Sequence, residues 1–385
     1  MAQTNREALS AILHYKNYGH VPVLHFGFWP QTLLKWVSEG HLKQSEVDGL
    51  MIKGNMGDGN QYELEIARKL GFDDNAFVYV GQRGDWYDVP LFPMFEERII
   101  EYFDDGSYSK IDYEGVMVKG KEGAASIPGE FGHTLVDRAS WETEYLPRLQ
   151  WTPDRIDFEE IDKLVSENDT RTRHLCVYAG SLYGKLRNYW GLVELSYLQV
   201  DDIDLFKECI ETVGELSLNI VENTLKTGIK VDFLHFWEDV CFNKGPLVQP
   251  EVFRKFVGPY YRKIVDIASA YGIDIVSVDC DGFIEDLVPI WLDNGVNTML
   301  PIEVGAWEYD FSTMRKKFGK EIRGIGNMKK HVLAESRESV DAEIERLRKL
   351  VDLGGFVPCP DHRIAPDAKW DLVKYYCEEM HKVFS

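Results

Sequence analysis

Two aspartates separated by one residue end a predicted strand, in the sequence Asp279-Cys280-Asp281-Gly282. Side chains two residues apart on a strand point to the same side, and the glycine lets the chain turn tightly directly afterwards. A carboxylate, Glu238, ends an earlier predicted strand, and a histidine, His362, follows a later one. Carboxylate oxygens and an imidazole nitrogen suit zinc, with one position left open for a substrate. We therefore predict Glu238, Asp279, Asp281 and His362 as metal ligands, and His362, Glu238 and Asp279 as catalytic residues.

Plainer interpretations of the same residues stay open. Asp281 can instead accept backbone N–H groups at the start of a helix predicted near Phe283. Glu238 can be a solvated charge on a polar rim. Two cysteines at the same strand ends, Cys280 and Cys359, are alternative thiolate ligands. The six cysteines are scattered without a CxxC pair, which favours buried thiols over a disulfide framework.

The histidine lies in a stiff loop, residues 358–366, with the sequence PCPDHRIAP. Its three prolines restrict the backbone, so Asp361 and His362 are presented in a fixed arrangement. A single histidine on a loop can also be an ordinary surface or packing residue. The neighbouring acid and the position at a strand end favour a functional role.

Bulky aromatic residues follow the same predicted strand ends. Aromatic rings around a cleft can bind a flat organic molecule, although such rings near a strand end also serve as core or helix packing. The predicted substrate-binding residues are Phe26, Phe28, Trp29, Tyr178, Tyr183, Trp237 and Glu303.

Eight short apolar runs carry these residues, and most of them are followed by a helical stretch. The runs are 21–28, 77–80, 175–180, 231–238, 273–279, 298–303, 322–326 and 355–359. Alternating strands and helices of this number predict an α/β fold of the closed (β/α)8 (TIM) barrel type, in which the chemistry lies at the ends of the strands. We expect one barrel domain over residues 1–385.

Residues 93–128 depart from the helix and strand alternation. Apolar and polar residues alternate there around Asp-Gly and Glu-Gly turns, which predicts a β-hairpin insertion. The insertion can form a lid or a partner surface, or it can simply cover one flank of the barrel.

The charge of the chain excludes several classes of partner. Sixty-four acidic against 43 basic residues give a net charge of −21, which disfavours nucleic acid, acidic membrane surfaces and heavily anionic substrates. No run approaches the roughly 18 apolar residues that span a bilayer, and the first residues lack an apolar signal core. We expect a cytoplasmic protein without a membrane partner, with a homodimer as one expected assembly.

Four segments make nearly the whole chain resemble the uroporphyrinogen decarboxylase superfamily. They are residues 21–29, 279–282, 295–303 and 354–366. The superfamily contains decarboxylases of the tetrapyrrole pathway and cobamide-dependent methyltransferases. The decarboxylases carry an arginine-rich segment at the end of the first strand, where this chain has Phe26-Gly27-Phe28-Trp29. Without those guanidinium groups a polycarboxylate is costly to desolvate, so decarboxylation is the second interpretation.

The resemblance is greatest to the methyltransferase branch of anaerobic O-demethylases. The methyltransferases of the superfamily, as seen in coenzyme M methyltransferases, hold zinc with a His-x-Cys pair after the fifth strand and a cysteine after the eighth. Asp279, Asp281 and His362 stand at those positions here, and this harder ligand set suits an oxygen-bearing group. The resemblance implies zinc and methyl transfer from a methoxylated aromatic to cobalt. The Asp-x-His-x-x-Gly cobamide motif is missing, so we expect the cobamide on a separate corrinoid protein; a non-catalytic barrel binding module is a third interpretation.

Overall fold

The computed structural model of the protein describes residues 3–51, 61–81, 90–121, 128–305 and 307–385. The described strands are β1 Leu24–His25, β2 Asp74–Asn75, β3 Tyr79–Val80, β4 Arg98–Tyr102, β5 Ser107–Ile111, β6 Val116–Lys121, β7 Gly129–His133, β8 Cys176–Tyr178, β9 Phe233–Trp237, β10 Cys241–Phe242, β11 Gly245–Pro246, β12 Val276–Asp279, β13 Thr298–Leu300, β14 Arg323–Met328 and β15 Phe356–Pro360. The described α-helices are α1 Asn5–Leu13, α2 Pro30–Ser38, α3 Gln44–Met51, α4 Gln61–Leu70, α5 Arg138–Ser140, α6 Phe158–Ser166, α7 Gly184–Trp190, α8 Leu192–Asp201, α9 Ile203–Lys226, α10 Pro250–Val252, α11 Gly258–Ala270, α12 Val288–Asp293, α13 Phe311–Phe318, α14 Arg337–Val351 and α15 Trp370–Val383. Two π-helical turns, Trp141–Tyr145 and Phe253–Val257, continue α5 and α10.

The barrel strands form a parallel ring. Seven of them pair in the order β15-β14-β13-β12-β9-β8-β3, and β1 pairs with β2, which precedes β3 in the same extended segment. The ring closes between the segments that follow β1 and β15, where Phe28 bridges Ile364 in parallel. Ile364 donates its N–H to the Gly27 carbonyl at 3.0 Å, and Trp29 donates to the Ile364 carbonyl at 3.1 Å. The predicted (β/α)8 barrel is confirmed.

Helices cover the outside of the ring because each buries one apolar stripe. In α9 the buried residues recur at helical spacing, for example Phe206, Ile210, Val213 and Val221. The Asp202 side chain caps the first turn of this helix by accepting from the Leu205 N–H, and the chain leaves it through Gly228 at φ +87°. No helix among the described residues is long and apolar enough to cross a lipid bilayer.

The predicted hairpin insertion is an antiparallel sheet in the order β4-β5-β6-β7. It extends to His133, five residues beyond the predicted end, and residues 122–127 lie outside the described part. The turn between β5 and β6 is held by Asp112, whose carboxylate accepts from the N–H groups of Glu114 and Val116 at 2.9 Å each. This fixed turn carries Glu114 toward the barrel.

Two neutral histidines, His25 and His235, are fully buried within the strands. Burial lowers the pKa of each to about 3, from an ordinary value of 6.5. The Nδ1 of His235 lies 2.8 Å from the Ser277 hydroxyl of the neighbouring strand, and its ring lies 3.9 Å from the Phe77 ring between centroids. Between about pH 3 and pH 6.5, where the unfolded chain binds a proton, both histidines therefore stay largely uncharged in the folded protein.

Acid is expected to destabilise the fold through these histidines. Because their pKa is lower in the folded state, their stabilisation is complete above about pH 6.5 and is lost as the pH falls, by about 2 kcal/mol per histidine at pH 5. Urea unfolding at pH 7 and pH 5 should show a loss smaller by about 2 kcal/mol in His235→Gln than in wild type. An exposed histidine replaced in the same way, His331→Gln, serves as the control. Equal losses in wild type and His235→Gln would rule out this role for His235.

Candidate active site

The alternation of side chains along β9 decides which residues enter the barrel. Phe236 and Glu238 both contact Tyr261 of α11: the two rings lie 4.3 Å apart, and the Tyr261 hydroxyl lies 2.5 Å from Glu238 Oε1. These two side chains therefore point to the helix layer. His235 and Trp237 therefore point to the barrel interior. Asp239 is the next alternate residue after Trp237, and its backbone has a φ of +46°.

Glu238 is a fully buried anchor between the strand ring and the helix layer. Its burial raises the pKa of the carboxyl, whereas the hydrogen bonds it accepts oppose that rise. The donors to its two oxygens are the Ser181 hydroxyl at 3.2 Å, the N–H groups of Leu182, Tyr183 and Gly184 at 3.0, 3.0 and 2.7 Å, and the Tyr261 hydroxyl. We therefore correct the expectation for Glu238: both oxygens are occupied in the helix layer, away from the barrel mouth, so it is neither a metal ligand nor a catalytic residue.

His362 lies in an aromatic and acidic setting at the mouth. Its Nε2 is 3.3 Å from Oδ2 of Asp281. The imidazole stacks on Trp29 at 5.9 Å and 20°, and it meets Phe26 edge to face at 5.9 Å and 87°. The other Asp281 oxygen, Oδ1, is buried and accepts no hydrogen bond within the described structure. Four residues predicted from different parts of the chain thus converge on one point.

Two further carboxylates lie close to this pair. Burial raises the pKa of Asp239, and the charge of Asp281 raises it further, while Arg187 at 3.5 Å and His362 act in the opposite direction. Burial and then Asp281 likewise raise the pKa of Glu303, which accepts a hydrogen bond from the Gly282 N–H at 2.9 Å. Both carboxyl groups hold a proton more readily than an exposed acid does.

Glu303 was predicted for the site, and Asp239 was not. The signal for Asp239 was present in the alternation Trp237-Glu238-Asp239, which places Trp237 and Asp239 on the same side of the strand. Because Glu238 directly precedes Asp239, the sequence alone does not show which of the two acids faces the barrel interior.

Three of the predicted residues lie deeper in the barrel. Asp279 is 7% exposed and pairs in register with Trp237 of the neighbouring strand. Its side chain lies on the same face of β12 as that of Ser277, whose hydroxyl contacts the His235 ring. Tyr178 pairs in register with His235 and packs edge to face against Tyr79 at 5.8 Å. Trp237, Asp279 and Tyr178 therefore lie at the ends of three neighbouring strands, β9, β12 and β8.

Phe28 and Tyr183 lie elsewhere and do not contact the mouth. Phe28 is 1% exposed and packs against Trp36 of α2 at 5.7 Å. The Tyr183 ring is fully buried in the helix layer beside Phe206 at 6.4 Å, and its hydroxyl accepts from the Gln199 amide at 2.7 Å. We correct both predictions: these rings are core residues, because the helix layer covers them completely.

The two alternative thiolate ligands are buried behind the site. Cys280 is 1% exposed and accepts a hydrogen bond from the Val240 N–H at 3.4 Å, and burial raises the pKa of its thiol. Cys359 is fully buried and pairs in register with Asn327, whose side chain accepts from Arg346 of α14. Neither thiol lies in a group of three potential metal ligands among the described residues.

The described side chains at the mouth do not form the ligand set of a zinc site. Catalytic zinc takes three protein ligands and one open position. Within the described ranges, no three His, Cys, Asp or Glu side chains are placed to hold one ion. Of the four predicted ligands, Asp281 and His362 lie 3.3 Å apart, whereas Glu238 is bound within the helix layer. The residues as placed do not fit such a site. Metal analysis of wild type and His362→Ala tests the zinc prediction directly. Equal, negligible zinc in both proteins would contradict that prediction.

The guanidinium groups near the strand ends bear on the non-catalytic interpretation. Arg187 of α7 contacts Asp239, as above. Arg323 begins β14, at the opposite end of the barrel, and donates to the Leu13 carbonyl at 2.6 Å. Asp281 pairs with His362, 3.3 Å away. The central acid of the mouth is therefore not neutralised by either of these guanidinium groups.

Comparison with known proteins gives a family and a fold. A sequence profile described as uroporphyrinogen decarboxylase (URO-D) matches residues 191–383. The solved structure of a methyltransferase from Methanosarcina mazei is similar over 100% of both chains, with a TM-score of 0.59 and 14% identity. A B12-independent methionine synthase from Shewanella sp. W3-18-1 aligns over 94% of this chain and 98% of its own, with a TM-score of 0.46 and 11% identity. No curated protein sequence matches the chain. At these identities the structural likeness establishes the fold alone.

Proposed function

The chain belongs to the uroporphyrinogen decarboxylase family, and from this premise we propose that it transfers a methyl group from a methoxylated aromatic to the cobalt of a separate corrinoid protein. The single observation that carries the proposal is the Asp281–His362 pair, 3.3 Å apart, with the imidazole stacked on Trp29. It places a proton donor beside an aromatic surface at the ends of the barrel strands.

The proton donor answers the main chemical difficulty of ether cleavage. When the methyl–oxygen bond breaks, its electron pair stays on the oxygen, and an aryl oxide is a poor leaving group. Protonated His362 can donate a ring N–H proton to that oxygen, and Asp281, 3.3 Å from Nε2, orients the imidazole. The partner's corrinoid supplies the nucleophile that accepts the methyl group. Asp239 and Glu303, with raised pKa values, are the nearest further groups that can return a proton to His362.

Aromatic side chains define the volume for the donor. Trp29 and Phe26 contact His362 from the first strand, and Trp237 ends β9 on the interior side. Flat rings of this kind gain both buried apolar area and ring contacts with an aryl group. These positions support an aromatic donor over a small aliphatic one.

The acids at the mouth argue against the decarboxylase alternative. Asp239, Asp281 and Glu303 surround His362, and the chain has a net charge of −21. A porphyrinogen with many carboxylates would have to approach these like charges at short range, at a cost in Coulomb energy. The family name alone therefore does not decide the reaction.

A donor panel tests the proposal. Purified protein, a reduced corrinoid protein and one methyl donor are incubated without oxygen, and the demethylated product is quantified. We expect product from 2-methoxyphenol and related methoxyarenes, but not from methylamines or methyl thiols. Carbon dioxide release from a polycarboxylate porphyrinogen, with no demethylation of any arene, would overturn the proposal in favour of the decarboxylase.

A further inference from the structure

The hairpin insertion contributes a buried acid to the barrel. Glu114, in the turn between β5 and β6, is 6% exposed. Its Oε1 accepts from the Lys185 ammonium at 2.8 Å, and its Oε2 accepts from the Asn188 amide at 3.2 Å. The Glu114 carbonyl accepts from the Tyr145 hydroxyl at 3.1 Å, which holds the turn in place. Lys185 and Asn188 both belong to α7, the helix that follows β8.

The ion pair is connected to Trp237 at the end of β9. The Lys185 side chain is only 3% exposed, and its Nζ lies 4.8 Å from the centre of the Trp237 ring. A cation over an indole face is attracted to it, so the position of the ammonium restrains the ring. Burying both charges costs desolvation energy that a merely covering surface could avoid with apolar residues.

A second connection runs from the same carboxylate to the acidic cluster. Asn188 donates to Glu114 and accepts from Arg187 Nη2 at 2.9 Å. The same Arg187 nitrogen lies 3.5 Å from Oδ2 of Asp239. The hydrogen bonds therefore continue without interruption from the insertion to a carboxylate beside the Asp281–His362 pair.

We infer that Glu114 is a positioning residue of the donor pocket, and that the hairpin insertion is a working part of the site rather than a cover over one flank. Through Lys185 it fixes the Trp237 ring, and through Asn188 and Arg187 it fixes Asp239. The part of the inference that concerns the methyl donor rests on the proposed function. The part that concerns the orientation of Trp237 is independent of that function.

Fluorine NMR and donor binding test this inference on the full chain. The ten tryptophans are replaced by 5-fluorotryptophan, and the Trp237 signal is identified by its loss in Trp237→Phe. Glu114→Gln should move the Trp237 signal and weaken 2-methoxyphenol binding at least fivefold. Glu130→Gln, the same substitution at an exposed position of β7 in the same insertion, should change neither.

A double variant covers the case in which Glu114→Gln fails to fold. Glu114→Gln combined with Lys185→Gln removes both charges, so no unpaired charge is left buried. We expect it to show the same movement of the Trp237 signal and the same loss of binding. A folded double variant with a wild-type Trp237 signal and wild-type affinity would overturn the inference. If wild type itself fails to bind 2-methoxyphenol, the proposed donor is wrong, and the Trp237 signal alone decides the role of Glu114.

Discussion

Replacing His362 by alanine is expected to lower the rate of demethylation of 2-methoxyphenol about 100-fold, at the low end of what a positioned general acid contributes. The reason is the loss of the imidazole that both contacts the Asp281 carboxylate, at 3.3 Å, and stacks on the Trp29 ring. The measurement is the rate constant of a single turnover with a reduced corrinoid protein, at saturating donor.

Two further variants are measured in the same assay, the first as a control and the second as a test of the partner of His362. His331→Ala removes an exposed histidine, 63% accessible, and should leave the rate unchanged. Asp281→Asn keeps the shape of the His362 partner but removes its charge, so the rate should fall by about 10-fold to 100-fold because the imidazole is held less firmly in place. A rate in His362→Ala within about threefold of wild type would contradict the role of His362 as the acid.

Truncation of Glu238 to alanine is expected to lower the free energy of unfolding by about 3–5 kcal/mol, because it leaves several buried hydrogen-bond donors without an acceptor. Three of these donors are the backbone N–H groups of residues 182–184, which lead into α7, and another is the Tyr261 hydroxyl. Chemical unfolding at neutral pH measures the difference. The milder Glu238→Gln should stay folded and keep its turnover rate within about threefold of wild type.

The neighbouring acid supplies the matched control. Asp239→Asn removes a carboxyl whose pKa is raised by burial, so the unfolding free energy should change little or rise at neutral pH. Its turnover rate should fall, because Asp239 lies beside the Asp281–His362 pair. The opposite pattern, with loss of turnover in Glu238→Gln and loss of stability in Asp239→Asn, would show that the two side chains have been assigned to the wrong faces of the strand.

Strand periodicity predicted the barrel well, because each run of apolar residues must lie between the lumen and the helices. Parallel strands bring their carboxyl ends to one rim, which is why residues as distant in the sequence as Phe26, Asp281 and His362 could be expected to meet. The closing contact between Phe28 and Ile364 has no sequence signal of its own, since it depends on the completed ring.

Which side chains of the rim face the mouth was harder to predict. Glu238 and Asp239 are adjacent acids, and only the contacts of Phe236 and Glu238 with Tyr261 show which face is internal. Tyr183 follows a strand, as a pocket residue would, yet the packing of Phe206 from a distant helix encloses it. Such contacts depend on tertiary packing, which a single sequence does not record.

In the hairpin insertion, too, the local structure could be predicted from the sequence, whereas the tertiary contacts could not. Its hairpins follow from Asp-Gly and Glu-Gly turns, which are local signals. The burial of Glu114 against Lys185 depends on how the whole sheet lies on α7, so the sequence left open whether the insertion is a cover, a lid or a partner surface.

The most direct test of the central claim is the dependence of the rate on the leaving group. A series of aryl methyl ethers with phenols of graded acidity is demethylated by wild type and by His362→Ala. If His362 protonates the departing oxygen, wild type should show a shallow dependence on phenol acidity, and the variant a steep one, with the largest loss for the least acidic phenols. Parallel dependences, with His362→Ala slowed equally for every ether, would contradict the account.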